Sequence, residues 1–186
     1  MRLAITGPCA LAHNRRAAYH PGMPTVIRDV LPAELPIVLA MNDSAVPHVN
    51  RLDLAQLQKF HAEAAYFRVA LTDGEPVAFL VGLRPGADYH SPNFHWFCAR
   101  YPDFAYIDRV AVSEAARRRG LGAALYRDFE AAFARLCPRL ACEVNLRPAN
   151  EASMQFHRRM GFEQVGSQTI DDGAKEVAML IKNLAR

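Results

Sequence analysis

The run Arg117-Arg118-Arg119-Gly120-Leu121-Gly122-Ala123 constrains this chain more than any other stretch, because of what flanks it. Before it, Tyr106-Ile107-Asp108-Arg109-Val110-Ala111-Val112 alternates and is rich in β-formers; after it, Leu121, Leu125, Phe129, Phe133 and Leu136 recur at helical spacing. The order is strand, glycine-rich turn, helix. The first N–H groups of a helix have no partner within it, and the helix dipole places partial positive charge beside them. A phosphate is therefore stabilised over Gly120, Leu121, Gly122 and Ala123. Glycines at 120 and 122 let a ligand approach the backbone closely, and Arg117, Arg118 and Arg119 read as part of the same anion cradle. Neither common nucleotide fingerprint fits: there is no Gly-x-x-x-x-Gly-Lys-Ser/Thr, and the third glycine of Gly-x-Gly-x-x-Gly is missing. A different phosphate-bearing ligand is implied.

Around this centre the chain reads as strands and helices in alternation. Thr25 to Asp29 is a short strand, and a helical pattern follows from about Ala33 to Ser44, its start limited by Pro32 and Pro36. Asp53-x-x-Gln56 resembles a capping box, with Leu54, Leu57, His61 and Ala64 continuing one face of a second helix. Tyr66 to Thr72 and Pro76 to Leu83 form a hairpin about Asp73-Gly74. Arg84 to Asp103 reads as a long loop with Tyr89, Phe94, Trp96, Phe97 and Tyr101 among its prolines. Either those rings pack over the core, or they form a wall of the acceptor pocket, with Trp96 and Phe97 as its candidate substrate contacts. Leu140 to Asn145 is a strand, Asn150 to Met160 a helix, Phe162 to Gln168 a strand, and Asp171-Asp172-Gly173 a turn into a last strand, Glu176 to Ile181. This order, β-α-α-β-β-β-α-β-α-β-β, predicts an α/β fold on one mixed sheet with helices on both faces.

In the helix from Asn150, positions 150, 153 and 157 share one face, and Ala152, Phe156 and Met160 form the neighbouring apolar stripe. The apolar side is expected on the sheet and the polar stripe toward a cleft; Asn150 also reads as the N-cap. With these two blocks in view, the chain resembles the GNAT acyl-CoA N-acyltransferases. Arg117-x-x-Gly120-x-Gly122 matches that family's Arg/Gln-x-x-Gly-x-Gly/Ala loop. Asn150-Glu151-Ala152-Ser153-Met154-Gln155-Phe156-His157-Arg158-Arg159-Met160-Gly161-Phe162 looks like its Asn-x-x-Ala/Ser-x-x-Phe/Leu-Tyr-x-x-x-Gly-Phe helix. Detailed similarity runs from about Phe104 to Phe162, and is closest to an uncharacterised bacterial group of predicted acetyltransferases. One departure stands out: His157 occupies the position of the family's tyrosine.

The resemblance implies the GNAT fold, with about seven strands, mainly antiparallel, and the fourth and fifth splayed to admit a pantetheine arm. It implies acetyl-CoA as acyl donor, bound by the Arg117 to Ala123 loop, by Asn150 and Ser153, and by backbone groups of Val110, Ala111 and Val112. The acceptor is expected to be a small primary amine, with a protein N-terminus or lysine as the alternative and a catalytically silent acyl-CoA-binding module as a third reading. Alternation puts Asp108, Val110 and Val112 on one face of the fourth strand, so Asp108 is a candidate for orienting the amine or relaying its proton; a salt bridge with a nearby arginine is its other reading. Glu143 and Asn145, sharing a face of the fifth strand, are rivals for that work. In relatives the tyrosine hydroxyl is placed to protonate the leaving thiolate, which makes His157 a candidate acid, against the reading of an ordinary surface histidine. Direct attack on the thioester needs no enzyme intermediate, and no cysteine falls in either motif.

Composition narrows the rest. At 186 residues and 51% hydrophobic, the chain suits one domain, expected over residues 25–186 behind an N-terminal tail, 1–24, in which Met23 is a candidate start. A net charge of +3 argues for neither nucleic acid nor membrane as partner, and the arginine triplet lacks an aromatic stacking platform. Four cysteines without a Cys-x-x-Cys or a disulfide framework fit a reducing cytoplasm, and His90, His95 and Cys98 match no standard metal-ligand spacing, so no metal is expected. A homodimer is compatible with all of this.

Overall fold

The computed structural model describes residues 25–47 and 49–185, so the expectations for the 1–24 tail lie outside it. Among the described residues seven strands follow in order as β1 (Val26–Asp29), β2 (Tyr66–Thr72), β3 (Glu75–Leu83), β4 (Ala105–Val112), β5 (Arg139–Arg147), β6 (Glu163–Ile170) and β7 (Lys175–Asn183). Five helices join them: α1 (Leu35–Ser44), α2 (Leu54–Glu63), α3 (Pro92–Cys98), α4 (Leu121–Phe133) and α5 (Glu151–Arg159). Local chemistry explains most boundaries. Asp53 accepts from the Gln56 amide at 2.8 Å while the Gln56 side chain accepts from the Asp53 amide at 2.9 Å, closing the capping box of α2. Asp73 and Gly74 both have positive φ, 53° and 83°, as a tight two-residue hairpin turn requires.

The strands form one sheet in the order β1-β2-β3-β4-β5-β7-β6, antiparallel throughout except between β4 and β5. On one face α4 packs Leu121, Leu125, Phe129 and Phe133 against Leu80, Ile107, Leu140 and Cys142. Phe129 presses so closely on β3 that a Cβ on Gly82 would lie 2.2 Å from its ring, which is why that strand position carries no side chain. On the other face α1, α2 and α3 bring Val38, Leu57, Phe60 and Phe97 against Phe79, Val81, Tyr106 and Met179. Each fully buried side chain of this size contributes about 1.5 to 3 kcal/mol.

Two irregularities in β4 shape the cleft. First, β4 pairs with β5 only at Ala105 with Leu140 and Tyr106 with Ala141; beyond Tyr106 the two strands part. Second, Val81 of β3 faces Arg109 and Gly82 faces Ile107, which leaves Asp108 as an extra residue, a β-bulge. The bulge inverts the alternation. Ile107 and, past the bulge, Val110 and Val112 pack toward α4, whereas Tyr106 and Ala111 pack toward α1 and α2. Asp108 therefore does not share a face with Val110 and Val112, contrary to simple alternation. It is paired with Arg109, whose guanidinium lies over the Phe60 ring of α2 at 5.3 Å.

Other expectations are also revised. The stretch from Arg84 to Asp103 is not a continuous loop: Ser91 caps α3, accepting from the Phe94 amide, with Pro92 in the first turn. Helix α4 ends at Phe133, so Leu136 falls outside its buried face and is 60% exposed. Helix α2 buries Leu57 and Phe60 rather than His61, which is exposed. In α5 the buried residues are Met154 and His157, while Ala152 is exposed and Phe156 and Met160 are half-buried. The apolar stripe read from the sequence is thus the flank of the helix, not its base. Among the described residues no helix is long and apolar enough to cross a membrane.

Candidate active site

The gap opened between β4 and β5 is the floor of a cleft lined by Ile107 to Val110, by Cys142 to Asn145, by Tyr126 of α4, and by Asn150, Ser153 and His157 of α5. The polar stripe of α5 does face this cleft as the spacing predicted. The glycine loop, whose residues are not among those lining this cleft, follows the end of β4 that has parted from β5. Gly120 is the N-cap of α4 in the left-handed region (φ 77°), a conformation that favours glycine. A Cβ at Gly120 would meet nothing within 4 Å, and one at Gly122 only the Phe156 ring edge at 3.9 Å. The cradle is thus open above the first-turn amides of Leu121, Gly122 and Ala123, with Arg117, Arg118 and Arg119 exposed around it. Past Tyr106, β4 has no β5 partner, so Val110 to Val112 border the gap. These residues fit a long ligand with a phosphate head and an amide-bearing arm. Asn150 accepts from the Ser153 amide at 3.1 Å and serves as the cap of α5.

Glu143 stands on the α1-side face of β5, at the far end of the gap from the loop. Its carboxylate accepts from the Tyr106 hydroxyl at 2.7 Å and from the Asn93 side-chain amide at 3.0 Å, and Asn93 in turn accepts from Gln168 at 3.2 Å. Burial pushes its pKa up to about 7 although both hydrogen bonds pull the other way. A carboxylate poised there can take a proton near neutral pH. Asp108 is committed elsewhere: Tyr89 donates to it, and so does Arg109 Nε at 2.6 Å. Arg109 is buried and also donates to Asn42 at 3.0 Å and to the Asn50 carbonyl at 3.3 Å. The salt-bridge alternative for Asp108 is what the structure contains. Asn145 lines the cleft on the same face as Glu143.

His157 is only 4% exposed, which removes the surface-histidine reading. Its Nδ1 lies 2.8 Å from the Ser153 carbonyl, which can only accept, so Nδ1 carries the hydrogen. Nε2 then offers a lone pair, and the Tyr126 hydroxyl donates to it at 2.7 Å. Burial holds the imidazole below its usual pKa, the carbonyl contact offsetting part of that. His157 is therefore neutral near pH 7, and its cleft-side nitrogen accepts rather than donates. This departs from its expected role as an acid, for a reason that sequence spacing could not carry: the partner is on another helix. Burial likewise raises the Cys142 thiol well above its ordinary pKa, so this cleft cysteine stays protonated and is a poor nucleophile.

The acceptor-pocket expectation for Trp96 and Phe97 is corrected. Phe97 has no exposed surface and packs in the core against Phe104 and Tyr106. Trp96 lies over Gly166 of β6, where a Cβ would come within 2.7 Å of its ring, and Arg100 stacks on it at 3.9 Å. Trp96→Ala should cost on the order of 2 kcal/mol, roughly a 5 °C fall in Tm by thermal melts, with the acceptor's KM unchanged. A selective rise in that KM would return Trp96 to the pocket. The ring facing the cleft from this segment is Tyr89, with Asn93 beside it. Tyr89 is one of the five rings of the aromatic segment, whereas Asn93 and Tyr126 do not stand out in the sequence. Tyr126 does fall three residues before Phe129, on the edge of α4's apolar face.

Residues 36–162 match the family model described as Acetyltransferase (GNAT) family. Among solved structures, the ribosomal-protein-S18-alanine N-acetyltransferase from Escherichia coli has the same fold. It superposes with a TM-score of 0.67 at 16% identity, over 88% of this chain and 96% of that one. The corresponding values are 0.69, 20%, 87% and 99% for Ard1 from Thermoplasma volcanium, and 0.68, 17%, 87% and 98% for Arabidopsis thaliana NAA60 in complex with a bisubstrate analogue. No curated protein matches the chain. The family model covers well over half of the residues, including the glycine loop, the parted strands and the α5 helix, so the chain belongs to the GNAT acetyltransferase family.

Proposed function

We propose that this acyltransferase moves the acetyl group of acetyl-CoA to the primary amine of a small molecule, by direct attack in a ternary complex. The observation that carries the choice of acceptor is at the mouth of the cleft. Lys175, at the start of β7, donates to the Asn50 side chain at 3.3 Å and pairs with Asp171 at 2.9 Å. Asn50, in the connection between α1 and α2, is itself held from below by Arg109 and Asn42 through its carbonyl. The two segments that would have to part for a polypeptide are thus tied to each other across the opening. A space closed in this way suits a compact amine.

Acetyl-CoA supplies an acetyl thioester at the parted strands. Glycine-loop amides and the arginines around them hold the phosphates, and the β4 edge from Val110 to Val112 holds the arm. Glu143 takes a proton from the incoming amine, while Asn93 and Tyr106 fix the direction of its carboxylate. The test is release of free CoA from acetyl-CoA across a panel of small amines and a panel of peptides with free N-termini or lysines. Turnover with small amines and not with peptides is expected, and Lys175→Ala should widen acceptance toward peptides. Turnover confined to peptides would replace this reading with protein acetylation, and no release with either panel would leave a silent binding module.

A further inference from the structure

Any transfer out of a thioester leaves negative charge on sulfur, and the cleft must meet that charge. Glu143 and Asp108 are acidic, Cys142 is a buried thiol, and His157 presents a lone pair. Lys175 is tied up at the mouth and Arg109 is paired beneath it. Two hydroxyls line the cleft on the α4 side of the parted strands, those of Ser153 and Tyr126, and of the two Tyr126 is the one held in place by a short hydrogen bond to His157 Nε2, at 2.7 Å, whereas Ser153 Oγ lies 3.3 Å from Nδ1.

We propose that Tyr126 is the catalytic residue that stabilises the departing thiolate, and that His157 is a positioning residue which holds its hydroxyl at the cleft. The proposal rests on the acetyl-transfer reading above. Three observations meet in it. Tyr126 is 2% exposed, gripped edge-on by Phe156 at 5.0 Å and by Phe162 at 6.0 Å between ring centroids, so its ring has one orientation. Its hydroxyl is pinned by His157 Nε2, and His157 is pinned by the Ser153 carbonyl, a chain of two bonds ending on the backbone of α5. Both groups border the gap where β4 leaves β5.

The chemistry balances without an acid that loses its proton. The nitrogen–carbon bond forms as the carbon–sulfur bond breaks, and the bonding pair stays on sulfur. The amine proton goes to the Glu143 carboxylate. Tyr126 turns its O–H from His157 to sulfur and keeps the proton, because burial holds the phenol well above its usual pKa while an ordinary thiol titrates near about 8.5. His157 then takes the hydroxyl back when the thiolate leaves, and the proton held by Glu143 passes to solvent, which balances the charge.

The test uses CoA itself bound to the full chain. The ultraviolet absorbance of its thiolate is followed against pH, and steady-state kinetics are measured in parallel. In wild type the bound thiol should titrate below free CoA. Tyr126→Phe, which removes only the hydroxyl, should raise that pKa by about one to two units, the size of one hydrogen bond to a charged group. It should also lower kcat roughly 10²-fold, with KM for acetyl-CoA unchanged. His157→Phe should show part of both effects, and His157→Gln, which can still accept from the hydroxyl, should recover them. Tyr126→Phe that binds CoA with the wild-type thiol pKa and turns over at the wild-type rate would overturn the proposal. Failure of wild type to bind CoA at all would instead remove the acetyl-transfer reading beneath it.

Discussion

Gly122→Asp should abolish the rise in melting temperature that millimolar acetyl-CoA gives the wild-type protein. A ligand at a hundredfold excess over its Kd stabilises the folded state by about 2.7 kcal/mol, so the wild-type shift is easily read. Gly122 has no positive φ, and a Cβ there meets only the edge of Phe156 at 3.9 Å, so the substitution fits the fold. A carboxylate in the first turn of α4 also favours the helix dipole. The unliganded variant should therefore melt at or slightly above the wild-type temperature, while its response to acetyl-CoA disappears because charge and bulk now occupy the anion cradle. The two readouts move apart, which a merely unfolded variant cannot imitate. A wild-type protein indifferent to acetyl-CoA, or a Gly122→Asp variant that still responds, would mean that the loop is not the phosphate site.

Glu143→Gln should lower kcat by roughly 10²- to 10⁴-fold while leaving the donor's KM in place. The wild-type pH profile carries the second half of this expectation. The base form is the carboxylate, so kcat/KM should rise with pH and inflect at about 7, the pKa to which burial pushes Glu143. The acceptor amine loses its own proton far higher, near about 10, and does not supply that inflection. In Glu143→Gln it should vanish. Stability gives an independent check of sign. A carboxyl whose pKa rises from 4.5 to about 7 on folding binds its proton more tightly in the native state than in the unfolded chain. Its contribution to stability therefore falls as pH climbs from about 4.5 through 7. The glutamine variant lacks that loss, so its melting temperature relative to wild type should increase across the same interval. An unchanged pH profile in the variant would assign the proton to another group.

What could be read from the sequence was whatever is written in short range. The capping box at Asp53, the Asp73-Gly74 turn, the glycine loop between strand and helix, and the polar face of Asn150, Ser153 and His157 are each set by neighbours within a few residues. What could not be read depends on partners far along the chain. The bulge at Asp108 exists only because β3 supplies one residue fewer opposite it, so alternation placed that side chain on the wrong face. Helix α3 was hidden because its prolines and aromatics resemble a loop until Phe94 and Phe97 find Phe104 and Tyr106 to pack on. Tyr126 reads as one more apolar position of α4, and its meaning comes from a histidine 31 residues later. Glu143 is one of several acidic candidates in the sequence, and the burial that sets it apart from Asp108 comes from tertiary packing.

The parting of β4 from β5 after two residue pairs divides the sheet into two leaves, β1 to β4 and β5 to β7. Along that seam each leaf has an inner margin without a strand beside it, and such a margin is ordinarily a liability that proteins cover. Here the natural cover is a molecule of strand-like width carrying amides, so the donor would act as mortar as well as reagent. Its arrival would knit two leaves otherwise joined at one end, and its departure would loosen them. Release of the spent carrier would then coincide with the moment at which the molecule is most free to flex.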